Sequence, residues 1–107
     1  MVPILIGSFH HFLSNGHHPA DETTFNRFLD TLRRETAGRR VLAVGSVDLA
    51  HVGPAFGDSF PMDTPRRSLL RDEDHKLMSA IMRGSAAEFY SRIHSAHDRN
   101  RICGFAP

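Results

Sequence analysis

A chain of 107 residues, 40% apolar and 23% charged, has the make-up of an ordinary soluble domain with room for one modest core. Its net charge of +1 gives no bias toward nucleic acid or an anionic membrane surface, and a lone cysteine, Cys103, excludes an internal disulfide. The longest apolar run, Val2 to Ile6, is far short of the roughly 18 residues that a membrane span requires. No basic stretch leads into an apolar one as in a secretory signal, so the expected location is cytoplasmic.

Val2 to Ile6 is rich in branched residues and closed by Gly7, which predicts a buried strand with Pro3 near its start. Ser8 to Ala20 carries His10, His11, Asn15, Gly16, His17, His18 and Pro19, the chemistry of a loop. From Asp21 the period changes. Phe25, Phe28, Leu29 and Leu32 fall on one face of a helix, Arg33 and Arg34 suit its negative end, and Gly38 stops it. Val41 to Val47 predicts a second buried strand, and strand, helix and strand at this spacing predict a βαβ unit.

A loop rich in glycine and proline runs from Gly53 to Thr64. Thr64-Pro65 predicts an N-cap and first helical residue, and the helix is expected to reach Arg83, with a break near Asp72, before Gly84. Ser85 and Glu88 form a capping box that opens the next helix, with Phe89, Tyr90, Ile93 and His97 on its inner face. A polar turn, Asp98 to Arg101, then leads into Ile102-Cys103-Gly104. Two or three strands do not complete a sheet that needs neighbours on both edges and helices on both faces. The chain therefore reads as residues 1–107 of one α/β domain, a fragment incomplete at both ends. Self-association through its uncovered sheet edges is expected.

Chemistry concentrates after the second strand, in Gly45-Ser-Val-Asp-Leu-Ala-His-Val-Gly53. In open α/β sheets ligands bind beyond the carboxyl ends of strands, which is where Asp48 and His51 are expected. An imidazole with an acid three residues away suits a metal ligand and its carboxylate partner, or a general base and its orienting acid. It equally suits a turn capped by Asp48 beside a satisfied His51. Cys103, with Arg99 and Arg101 before it, reads as a buried thiol or as a thiolate able to bind metal or act as a nucleophile. The paired histidines at 10–11 and 17–18 lack acidic or cysteine partners at ligand spacing and read as a solvated loop. Arg33-Arg34, Arg39-Arg40 and Arg66-Arg67 make no continuous stripe and read as solvated helix ends, so nucleic acid is not an expected partner.

The succession "VPILIGSFHHF", "VLAVGSVDLAHVGPAFGD" and "DRNRICGFAP" resembles the Memo-like family, labelled in microbes AmmeMemoRadiSam system protein B. The departures are Val47, where many relatives have a serine, and Ala55, in place of a basic residue. The resemblance implies a partial three-layer α/β/α sandwich related to the class III extradiol dioxygenases, which use non-haem iron. It further implies a pocket of Asp48, His51 and Cys103, with His51 and Cys103 as metal ligands. The family's other two histidines belong to an N-terminal half that this sequence does not contain. Iron or copper is thus expected in a longer parent, and weak binding or none in this chain alone. The implied function is a metal-capable pocket for redox or dioxygenase-like chemistry. A non-catalytic module receiving a peptide or small molecule is the alternative, and a Cys–His–Asp hydrolase a third reading.

Overall fold

The computed structural model describes residues 1–15 and 17–105. Three α-helices form the frame: α1 (Thr23–Thr36), α2 (Thr64–Met82) and α3 (Ala86–Ser95). Short 3₁₀ turns lie at His10–Leu13, Pro19–Asp21, Pro54–Phe56 and Cys103–Phe105.

Local chemistry sets the helix ends. Asp63, not Thr64, caps α2, its carboxylate accepting from the Arg66 amide at 3.0 Å. The helix then runs unbroken through Asp72. It closes through left-handed Gly84 (φ 64°), with the Gly84 amide bonded to the Ile81 carbonyl and the Ser85 amide to that of Ala80. Ser85 at once caps α3, its hydroxyl accepting from the Glu88 amide at 3.3 Å. The Glu88 carboxylate holds Arg83 and Arg92 instead of reaching back to Ser85. α2 and α3 thus form a packed helical hairpin. His97 takes the left-handed position that ends α3 (φ 49°) and is exposed, so it is not on the inner face.

The buried core is small: a cluster of Leu77 from α2, Ile93 from α3, and Ile102 and Phe105 from the C-terminal segment, with Phe12 and Ala80 also buried. Phe9, Leu13, Leu49, Ala50, Phe89 and Tyr90 pack around it. Tyr90 stacks on Phe105 at 5.7 Å, and Phe9 meets Phe105 edge-on at 6.4 Å. α1 has the predicted apolar face, but none of its residues is buried; Phe25 reaches only the edge of Phe9, at 5.1 Å.

The expected βαβ unit and α/β/α sandwich are not formed. Among the described residues there is no strand, and no backbone hydrogen bond involves 2–6 or 41–47. An apolar run becomes a strand only when its amides and carbonyls pair with a neighbour, and neither run finds one. Their side chains face solvent: Val2 is 82% exposed, Leu5 99% and Leu42 86%. The radius of gyration is 15.9 Å, against about 13 Å for a compact chain of this length. No described helix is long and apolar enough to cross a membrane.

One half-buried carboxyl in α2 has a measurable consequence. Asp74 Oδ1 is buried without a partner, and burial, reinforced by Glu73, raises this carboxyl above its ordinary value of 3.8. A raised carboxyl favours the folded state when protonated. Its stabilising contribution is complete below the unfolded value and is lost as pH rises through the folded one. Asp74→Asn is therefore expected to raise the melting temperature at pH 7 and to flatten its dependence above pH 4. Thermal melts across that range check this; an identical pH dependence in both chains would refute it.

Candidate metal centre

The site forms where the irregular segment around Asp48–His51 and the segment leading into the Cys103–Phe105 turn pass each other in opposite directions. The His51 amide donates to the Asn100 carbonyl at 2.8 Å, and the Gly104 amide to the Asp48 carbonyl at 3.0 Å. The Asp48 amide donates to Cys103 Sγ at 3.2 Å, while Sγ lies 3.4 Å from the Asp48 carbonyl, which accepts from it as a thiol. These contacts bring one donor atom each from Asp48, His51 and Cys103 within 4.8 Å of one another. The group could hold a metal ion.

His51 is oriented by its own turn. Its Nδ1 lies 2.9 Å from the Leu49 carbonyl. A carbonyl only accepts, so Nδ1 is the donor here, and in the neutral ring Nε2 presents the lone pair. Nε2 lies 3.8 Å from Asp48 Oδ2. The carboxylate thus approaches the nitrogen that would bind an ion, and the Leu49 carbonyl occupies the place of an orienting acid. A Cys–His–Asp relay places the thiol and the acid on opposite ring nitrogens; with Nδ1 taken by the Leu49 carbonyl, only Nε2 remains for both, which does not make a hydrolase triad. Phe56 meets the imidazole edge-on at 4.9 Å.

The centre is open. The Asp48 side chain is 80% exposed and that of His51 27%, and Cys103 is exposed. A cleft of about 210 Å³ bordered by Glu73, Lys76, Arg92 and Asn100 does not reach it, nor does a second one beside His17, His18 and Tyr90. Water would complete the coordination of any ion held here. A histidine nitrogen, a thiolate and a carboxylate are a chemically sound donor set for a transition metal, so the residues fit one.

A loop beside the centre is fastened by residues whose pairing the sequence conceals. Asp58 takes both Arg101 Nη1 (3.0 Å) and Nη2 (2.5 Å), and its Oδ2 also accepts from the Gly53 amide at 2.6 Å. The Arg101 guanidinium, helped by that amide, holds the Asp58 carboxyl below its ordinary range, and Asp58 in turn raises Arg101. The pairing spans 43 residues, and no local spacing announces it.

The family pattern of the Memo-like proteins matches residues 2–107. The chain belongs to the Memo-like family. No curated protein and no solved structure matches it. The three residues that the Memo-like resemblance singles out are those assembled here, although helical and irregular segments carry them and no sheet does.

The loop histidines take other places in this Memo-like chain. His10 Nε2 lies 3.4 Å from the buried carboxylate of Asp98, whose other oxygen accepts from the Ile102 amide at 2.8 Å. His18 Nδ1 accepts from the Ala20 amide, and its ring packs on Tyr90. Gly104 permits the closest approach at the centre. A methyl there would sit 3.0 Å from both the Asp48 carbonyl oxygen and Val47 Cβ. Gly104→Ala is expected to cost about 1–3 kcal/mol through overpacking. It should also push the Asp48 segment away from Cys103. Melting curves and cobalt uptake check the two effects, and unchanged values for both would refute the close packing.

Proposed function

We propose that this Memo-like chain binds a transition-metal ion through His51 Nε2 and Cys103 Sγ, with Asp48 as the third donor. The proposed use of the site is redox or dioxygenase-like chemistry. The observation that carries the reading is the meeting of three donor atoms within 4.8 Å, with Nε2 left free by the bond at Nδ1. A bound ion would supply Lewis acidity or electron transfer. The chain's own residues do the rest: the Leu49 carbonyl keeps the proton on Nδ1, and the Asp48 amide donates to the sulfur. The exposed face leaves room for water or a substrate oxygen. A thiolate beside one imidazole suits copper or zinc better than iron, whose dioxygenase sites favour two imidazoles and a carboxylate.

Equilibrium dialysis against copper(I), zinc and iron(II) under anaerobic conditions tests the reading. One copper or zinc per chain is expected, weakly held, with iron weaker still. Uptake no greater than that of a Cys103→Ser chain would refute it.

A second proposal concerns the exposed runs Val2–Ile6 and Val41–Val47. Their apolar side chains and unpaired backbone groups favour self-association. Sedimentation velocity is expected to show species larger than the 12.0 kDa chain, growing with concentration. A concentration-independent monomer would refute this.

A further inference from the structure

We infer that Asp58 and Arg101 are a positioning pair that holds His51 against Cys103, an inference that rests on the metal-binding reading above. Arg101 lies two residues before Cys103. Its Nε donates to the His51 carbonyl at 2.7 Å while both terminal nitrogens bond Asp58. One guanidinium therefore joins three things: the segment carrying the thiol, the backbone of the imidazole, and the loop that follows. Asp58 closes the circuit by accepting from the Gly53 amide, two residues past His51. The turn from His51 to Asp58 is fastened at each end to the residue that precedes the cysteine segment.

Two features show that this arrangement is imposed on the backbone. Arg101 sits in the left-handed region at φ 51°, where a residue with a Cβ is disfavoured. It is held there by its own amide bonded to the Asp98 carbonyl at 2.8 Å and by the Asp98 carboxylate on the Ile102 amide. Gly53, whose amide Asp58 holds, has φ 98°, a conformation that glycine adopts and residues with a Cβ rarely do.

The chemistry also calls for arginine. Its planar fork makes bonds in three fixed directions, whereas a lysine ammonium would act as a single point charge. The Arg101 side chain is 46% exposed, so solvent screens the ion pair and its effect on overall stability is small. Its effect is read in the separation of the two ligands instead.

The test compares the unaltered chain with Arg101→Ala, Arg101→Lys and Asp58→Asn, using two readouts. The first, metal-free, is the nuclear Overhauser contact between the His51 imidazole and Cys103 β-protons, with the Ile93 methyl shifts as a check on the core. The second is the thiolate-to-cobalt absorption during cobalt(II) titration. The expected result is the contact present in the unaltered chain and lost in all three variants while the Ile93 shifts stay in place. Cobalt affinity should fall at least about tenfold, with no rescue by lysine. If Arg101→Ala unfolds, Arg101→Lys and Asp58→Asn decide the matter. Retention of the contact and of cobalt affinity in the folded variants would overturn the inference, as would absence of the contact from the unaltered chain. A contact that is present and lost as expected, with no cobalt absorption in any chain, would uphold the positioning pair and overturn metal binding.

Discussion

A chain carrying Phe105→Ala is expected to lose its cooperative thermal transition and most of its helix content. Phe105 is 5% exposed and stacks on Tyr90 within a cluster of four buried residues. Removing a buried phenylalanine costs about 3–5 kcal/mol. A small core of this kind supplies roughly that much stability in all. The loss should reach the metal centre too, because Phe105 anchors the turn that begins with Cys103. Leu69→Ala is the matched control: Leu69 is 58% exposed, and its replacement should move stability by no more than about 0.5 kcal/mol. Circular dichroism melts of the two chains decide the point; a cooperative transition surviving in Phe105→Ala would show that the core lies elsewhere.

The second large effect is on metal affinity. His51→Ala removes the only nitrogen donor of the group and Cys103→Ser the only sulfur. Each should weaken zinc or copper binding by more than the roughly 10–100-fold that outer partners of a metal site are worth. Asp48→Asn keeps the backbone bonds to Cys103 and should cost less than either. The measurement is competition with a chromophoric chelator at fixed pH. Equal affinities in all four chains would place the ion elsewhere, with the loop histidines first in line.

The parts of the fold that were legible in the sequence are those governed by local rules. The period of Phe25, Phe28, Leu29 and Leu32 marks α1, and Ser85 and Gly84 mark the hairpin of α2 and α3. The shift of the α2 cap from Thr64 to Asp63 is a matter of which oxygen reaches a free amide. The expected strands do not form because apolar composition reports only a tendency to burial, whereas a strand also needs a partner for its backbone, and Val2–Ile6 and Val41–Val47 have none among the described residues. At the site, spacing alone left Asp48 and His51 between a turn and a ligand pair. Bringing Cys103 to them, 52 residues beyond His51, depended on the family resemblance. Nothing in the spacing joins Asp58 to Arg101, 43 residues further on; their meeting is a tertiary fact.

In the proposed site one imidazole and one thiolate of this chain share an ion. Zinc X-ray absorption fine structure on the unaltered protein, with equimolar zinc at high protein concentration, tests it most directly. One sulfur neighbour at about 2.3 Å and nitrogen or oxygen neighbours at about 2.0–2.1 Å are expected, with an imidazole signature that disappears in His51→Ala. A zinc shell made only of nitrogen and oxygen would contradict it.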